Sequence, residues 1–243
     1  MTPEEALIAW HDVENGAYDV DLEVWEALAA AHAGGEPVLD VGAGTGRVAL
    51  HLAAQGHPVV ALDTEEVLLA ALAHRAEGLP VETVVGDARA IALGRRFGLI
   101  IAPMQTVQLL GGAQGRAAFL AGAREHLLPG GLVASAIAHP LEGFDVSEVQ
   151  APEPDLGEAG DVQLISRPIA IREARDHVLL VREREAIERD GTRTLERDEI
   201  RLDRLPPATF AAEGAAAGLR EEAPLEIPAT DEYIASTVVM LRG

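Results

Sequence analysis

Three glycines alternate at Gly42, Gly44 and Gly46, directly after the apolar run that contains Asp40, and a helical pattern follows them. A strand that delivers glycines into a helix N-terminus lets its backbone approach a ligand closely, because no Cβ stands in the way. Acids recur at the ends of the next two strands, Asp63 closing VVALD and Asp87 inside VVGDARA. A carboxylate at a strand end about 20 residues beyond such glycines can accept hydrogen bonds from both hydroxyls of a ribose. The set therefore offers recognition of a nucleoside-bearing ligand. Two familiar versions of that chemistry fit poorly. The dinucleotide fingerprint G-x-G-x-x-G wants glycine where Arg47 stands, and a phosphate-binding P-loop needs a lysine, which this chain lacks entirely.

What the turn does match is acid-x-G-x-G-x-G, and here the chain resembles the class I S-adenosylmethionine-dependent methyltransferases. The resemblance runs from residue 38 to 138, through the acids at three successive strand ends and LLPGG before the fifth strand. It implies S-adenosylmethionine as cofactor. Asp40 would help orient the ligand's amino-acid part, with the backbone of Gly42, Ala43 and Gly44 passing beneath its methionine and ribose. Asp63 would accept the ribose hydroxyls, with Thr64 beside it as N-cap of the next helix. Gly86, Asp87 and Ala88 would hold the adenine, Asp87 accepting from its amino group and the Ala88 amide donating to a ring nitrogen. Ala102 and Met104, at the end of the fourth strand, complete the expected cofactor contacts together with Tyr18, similar to an N-terminal tyrosine that packs over the cofactor in this family.

The acceptor is less defined. After the fourth strand, APMQ lacks the Asn-Pro-Pro-aromatic tetrad that holds planar amino groups in methyltransferases acting on adenine or glutamine. The stretch instead resembles the small-molecule methyltransferases of bacteria, which implies transfer to a small acceptor through oxygen or nitrogen. Methyl transfer is an in-line displacement that positioning and exclusion of water can largely accelerate, with a base required when the nucleophile carries a high-pKa proton. His139, just past the fifth strand, is the candidate base or acceptor-binding group, against a loop histidine ahead of Pro140. Gln105 is a candidate acceptor contact, as are Trp10 and His11 in a lid, although burial of an apolar helix face accounts for Trp10 equally. Without cysteine, and without paired histidines at metal-ligand spacing, no metal is expected. Two alternatives stay open: a nicotinamide-dependent oxidoreductase, and a non-catalytic member that binds S-adenosylmethionine.

These residues need a scaffold. Strands and helices alternate from residue 37 to 138 at a spacing that predicts an α/β fold, a Rossmann-like, seven-stranded, mostly parallel sheet with helices on both faces. Thr2, Pro3 and Glu5 predict a capped helix before it. After the fifth strand the pattern changes: a polar loop over 148–161 and three long segments, the last two joined at Asp190–Gly191 by a two-residue hairpin, predict an antiparallel β insertion. The expected division is 1–145 for the N-terminal helices and cofactor-binding core, 146–205 for the insertion as acceptor lid or dimer contact, and 206–243 for the last helix and two strands. The 243 residues are 48% hydrophobic but only 3% aromatic, so the core must be built from aliphatic side chains. A net charge of −21 opposes nucleic-acid binding, which depends on neutralising phosphates. No apolar run is long enough to span a membrane, and the N-terminal stretch opens on acids where a signal peptide carries cations. The expectation is a cytoplasmic monomer or homodimer whose partner is a small-molecule methyl acceptor, with neither nucleic acid nor membrane.

Overall fold

Thr2 and Glu5 cap one another: the Thr2 hydroxyl accepts from the Glu5 amide at 3.2 Å and the Glu5 carboxylate accepts from the Thr2 amide at 2.7 Å. With Pro3 in the first turn, this starts helix α1 (Pro3–Asn15). The structure, a computed structural model, describes residues 1–140, 142–149 and 152–243. The expected loop over 148–161 includes Gln150 and Ala151, which lie outside the described residues. The elements after α1 are α2 (Leu22–His32), β1 (Val38–Val41), α3 (Arg47–Ala54), β2 (Val59–Asp63), α4 (Glu66–Arg75), β3 (Val81–Val85), β4 (Phe97–Ala102), α5 (Ala113–Glu125) and β5 (Leu127–Ala138). There follow β6 (Phe144–Asp145), β7 (Asp155–Ala159), β8 (Val162–Glu173), β9 (His177–Ile187), β10 (Arg193–Asp203), α6 (Pro207–Ala216), β11 (Arg220–Glu221), β12 (Leu225–Ile227) and β13 (Ser236–Arg242). Among the described residues no helix is long and apolar enough to cross a membrane.

The chain divides into two compact units, Asp19–His139 with Leu205–Gly243, and Met1–Tyr18 with Pro140–Arg204. In the first, the core unit, the strands run in the order β11-β13-β5-β4-β1-β2-β3, with β12 also paired to β13. β1 to β5 are mutually parallel and β13 is antiparallel to β5. Order reverses at β1, between β2 and β4, which is where ligands bind at the carboxyl ends of an open α/β sheet. Successive residues of a strand face opposite sides. Leu39 and Val41 accordingly join Phe119, Leu120 and Phe210 from α5 and α6 in one apolar cluster. Asp40 between them faces the other side of the sheet, the side of α2 and α3.

The LLPGG stretch, expected to precede the fifth strand, lies inside β5. The pairing with β4 steps from Phe97–Leu127 to Leu99–Leu132, and Gly130 at φ +73° accommodates the extra residues as a bulge. The bulge is pinned by Arg242, whose Nη1 donates to the Gly130 carbonyl at 2.6 Å.

In the second unit β10, β9, β8 and β6 form an antiparallel sheet, with β7 also paired to β8. Strand β7 occupies part of the stretch expected to be loop. The β9–β10 connection corrects the expected two-residue hairpin. Gly191, at φ +87°, donates to the Glu188 carbonyl, and the Glu188 amide donates to the Thr192 carbonyl, both at 2.9 Å. This is a three-residue loop in which glycine takes the left-handed position. Helix α1, expected with the core, packs instead on this sheet: Trp10 joins Val162 and Leu164 in a buried cluster, and Arg184 lies over its ring at 5.6 Å. Glu14 anchors the end of α1 by accepting from both Nε and Nη2 of Arg184 at 2.7 Å.

Candidate active site

Hydrogen bonds tie the carboxyl ends of β1 to β4 into one surface of the core unit. The turn after β1 needs its glycines: Gly42, Gly44 and Gly46 all have positive φ, at +75°, +53° and +96°. A Cβ on Gly42 would come within 2.8 Å of the Thr106 side chain, and one on Gly46 within 2.1 Å of Leu72. The first of these contacts places the segment after β4 directly on the glycine turn, where the Thr106 hydroxyl donates to the Pro103 carbonyl at 2.8 Å. Met104 in that segment is, among the described residues, the non-glycine residue held at positive φ, +53°. Such strain clusters at ligand sites, where surrounding structure enforces it.

The amides of the turn are mostly engaged within the protein. Gly42 and Ala43 both donate to the Leu62 carbonyl, at 2.8 and 3.2 Å, and Gly46 donates to the Ala43 carbonyl at 2.9 Å. Gly44 donates to Asp63 Oδ2 at 2.8 Å, while Asp63 Oδ1 accepts from the Glu65 amide at 3.0 Å. The turn therefore offers a ligand close approach and acidic groups rather than a nest of free N–H donors. Asp63 stands half-buried at the end of β2 and braces the turn as well as facing the strand edge. Its carbonyl also accepts from the Gly86 amide at 2.9 Å, which brings the end of β3 to the same place.

Thr64 does not cap the next helix. The helix starts one residue later, with Glu65 at the cap of α4 and no side-chain hydrogen bond there, and the Glu65 amide donates to the Asp63 carboxylate. Asp87 is engaged locally: Oδ1 accepts from the Arg89 amide at 2.8 Å and Oδ2 from Arg89 Nη2 at 2.6 Å. These bonds hold its carboxyl below the ordinary carboxylate range. Ala88, Ala43 and Ala102 are buried beside these strand ends, and Met104 and Gln105 are half-buried.

Asp40 is the electrostatic centre of the turn. Its side chain is fully buried and neither oxygen has a partner in hydrogen-bonding geometry. Burial pushes its carboxyl up to about 7. Arg47 pulls the other way, Asp63 and Asp21 push further up, and the Ala49 amide exerts a weak downward pull. Arg47 itself is held by a residue that sequence reasoning missed. Its Nη1 and Nη2 donate to the two oxygens of Asp21 at 2.5 and 2.9 Å, and Trp25 Nε1 donates to the same carboxylate at 2.7 Å. Asp21 stands at the N-cap of α2 but makes no side-chain cap, its oxygens being spent on Arg47 and Trp25. An arginine directly after the third glycine was the visible signal; its partner lies 26 residues away.

At the end of β5, the Ala138 amide donates to Gln108 Oε1 at 2.9 Å, a buried contact that fixes the segment after β4 against this strand. His139 follows, with Nε2 3.1 Å from Thr237 Oγ1. The remaining candidates lie in the other unit. Trp10 is packed in an apolar cluster, so the burial explanation accounts for it. The His11 carbonyl accepts from Asn15 Nδ2 at 2.9 Å, and Tyr18 is buried at 5% exposure.

The strand order is that of a Rossmann-like, mostly parallel α/β sheet, and residues 38–131 match the family model described as a methyltransferase domain. Among relatives, a cypemycin N-terminal methyltransferase of a Streptomyces species is 33% identical over 122 residues, 49% of this chain and 50% of that protein, so the match spans half of the relative's length. The CcbJ methyltransferase of Streptomyces caelestis has the same fold, with a TM-score of 0.72, 22% identity, and 100% of this chain and 98% of that one covered. So has SAM-bound CalS10, an amino pentose methyltransferase of Micromonospora echinaspora, with a TM-score of 0.72, 21% identity and the same coverage.

Proposed function

We propose that the chain transfers a methyl group from S-adenosylmethionine to a small-molecule acceptor, through an amine nitrogen or a hydroxyl oxygen. The observation that carries this reading is the pairing, at one glycine turn, of internally satisfied amides with the unpartnered Asp40 carboxyl. A pyrophosphate needs free N–H donors and suffers from a buried acid nearby, which argues against a nicotinamide dinucleotide. S-adenosylmethionine carries a sulfonium and an ammonium against one carboxylate, and its net positive charge suits the acids.

When bound, the cofactor supplies a methyl carbon made electrophilic by its sulfonium. Asp40 takes the side of the ammonium and Asp63 the ribose hydroxyls, using the acceptor capacity left beside its bonds to Gly44 and Glu65. Asp87, Ala88 and Gly86 take the adenine edge, with Asp87 shared between the exocyclic amino group and Arg89. Gly42, Ala43, Gly44, Thr64 and Ala102 give the backbone and small side chains for close approach, and Met104 and Gln105 flank the reacting carbon. An amine acceptor is supported by the names of the similar proteins, an amino pentose methyltransferase and an N-terminal methyltransferase. Tritium-labelled methyl donor incubated with aminosugars, short peptides and phenols is expected to label an organic product with stoichiometric release of S-adenosylhomocysteine. Tight donor binding without label in any acceptor would instead support the non-catalytic reading.

A further inference from the structure

His139 does not stand alone at the end of β5. In the antiparallel pairing of β12 with β13, Glu226 lies opposite Thr237, and both reach the strand end from which His139 projects. Thr237 Oγ1 is 3.2 and 3.1 Å from the two oxygens of Glu226, while His139 Nε2 is 3.1 Å from that same hydroxyl and 3.7 Å from Glu226 Oε2. Among the described residues Glu226 is the charged group that reaches His139, at 3.7 Å. β13 contributes the uncharged Thr237, and the turn after β4 the uncharged Gln108 at the same strand end.

Proton placement follows from counting donors. A threonine hydroxyl has one hydrogen and an ionised carboxylate has none. If the hydroxyl hydrogen went to the imidazole, its oxygen would face two carboxylate oxygens with no proton between them. The consistent assignment gives that hydrogen to Glu226, so that Thr237 Oγ1 accepts from a protonated Nε2. The neutral ring then carries its lone pair on Nδ1. The imidazole side chain is 46% exposed, open to a small solute.

Resting on the proposed methyl transfer, we infer that Glu226 and Thr237 are positioning residues that hold His139 in the Nε2–H tautomer, leaving Nδ1 to receive the acceptor's proton. As the acceptor atom bonds to the methyl carbon, the carbon–sulfur bond breaks and S-adenosylhomocysteine leaves. The proton of the acceptor passes to Nδ1, and the resulting imidazolium keeps its Nε2–H bond to Thr237, with the Glu226 carboxylate beside the new charge. Fixing a tautomer through the nitrogen opposite the reacting one is how neighbouring groups prepare a histidine base.

The test is the two-bond proton–nitrogen spectrum of histidine-labelled protein, recorded with and without S-adenosylhomocysteine, His139 being assigned by His139→Gln. The expected pattern is that of an Nε2–H ring, changed to a mixture of tautomers by Thr237→Val. An Nδ1–H ring, or a Thr237→Val spectrum identical to wild type, overturns the relay. Kinetics supply the second arm, with glucosamine or the fastest of a panel of small primary amines as acceptor at saturating donor. His139→Ala is expected to lower kcat about 100-fold. Glu226→Gln should lower kcat about 10-fold, with S-adenosylhomocysteine affinity within about twofold of wild type, a modest share of a general base's effect. An unchanged kcat in His139→Ala overturns the base role. Failure of S-adenosylhomocysteine to bind would overturn the donor reading separately, because the ligand-free spectrum decides the tautomer on its own.

Discussion

Replacing Asp40 by asparagine is expected to make the ligand-free protein more stable relative to wild type as the pH rises from about 4 to about 7, by an amount that grows to about 4 kcal/mol. Burial, reinforced by Asp63 and Asp21 and opposed by Arg47, raises this carboxyl to about 7 in the folded protein. In the unfolded chain it ionises near its ordinary value of about 3.9. Between those values the unfolded state gives up the proton and the folded state keeps it, so the stability contributed by Asp40 declines as pH rises through the window and is level above it. An asparagine has no such proton. Urea unfolding of both proteins across the window reads the difference directly, the many other carboxylates being common to both. A difference that stays flat with pH would show that Asp40 is not held in the buried, unpartnered state. The same proton has a consequence for binding: an ammonium group brought to Asp40 favours its ionised form. Donor binding near neutral pH should therefore release a proton, visible as a calorimetric enthalpy that depends on the buffer's own heat of ionisation.

Asp21→Ala is the other large effect, an expected loss of about 3–5 kcal/mol of stability. The Asp21 side chain is fully buried and the Arg47 side chain 12% exposed, so truncating the acid takes a bidentate carboxylate away from a guanidinium that solvent barely reaches. It also removes the partner of Trp25 Nε1. Because a buried ion pair costs much to desolvate, removing both charges is expected to be milder than removing one. The double variant Asp21→Ala/Arg47→Leu should recover at least half of the loss, and a double-mutant cycle by chemical denaturation measures this. The electrostatics add a cross-check. Asp21 is one of the groups pushing the Asp40 carboxyl upward, and with Asp21 gone that push is lost while the opposing pull of Arg47 remains. The pH window of the first prediction should accordingly narrow in Asp21→Ala.

The parts of the fold legible in the sequence were those set by local rules. The alternation of apolar strands with helices announced the parallel sheet, and the Thr2–Glu5 box announced α1. What escaped was decided by distant partners. Asp21 reads as an ordinary helix cap until Arg47 is folded against it from 26 residues away. Thr64 reads as a cap, yet the helix begins a residue later, with Glu65 at its cap. Helix α1 has an apolar face that either unit would bury, and Trp10 and Glu14 settle it on β8 and β9. Asp87 looked free for a ligand, yet Arg89 two residues on occupies it. Glu226 and Thr237 carry no motif, and only the pairing of two antiparallel strands brings them to His139. The glycine turn was legible in position but not in its hydrogen bonding, since nothing local says that Leu62 and Asp63 take its amides.

Calorimetric titration of S-adenosylhomocysteine into wild type and Asp63→Ala, with NADH as the competing ligand, probes whether a methyl-donor site lies on the glycine turn braced by Asp63. One S-adenosylhomocysteine site is expected in wild type, with an affinity weaker by roughly 100-fold in Asp63→Ala through loss of charge-assisted hydrogen bonds and of the turn's brace, and no heat from NADH. Equal S-adenosylhomocysteine affinity in the two proteins, or NADH binding that Asp63→Ala weakens, would contradict it.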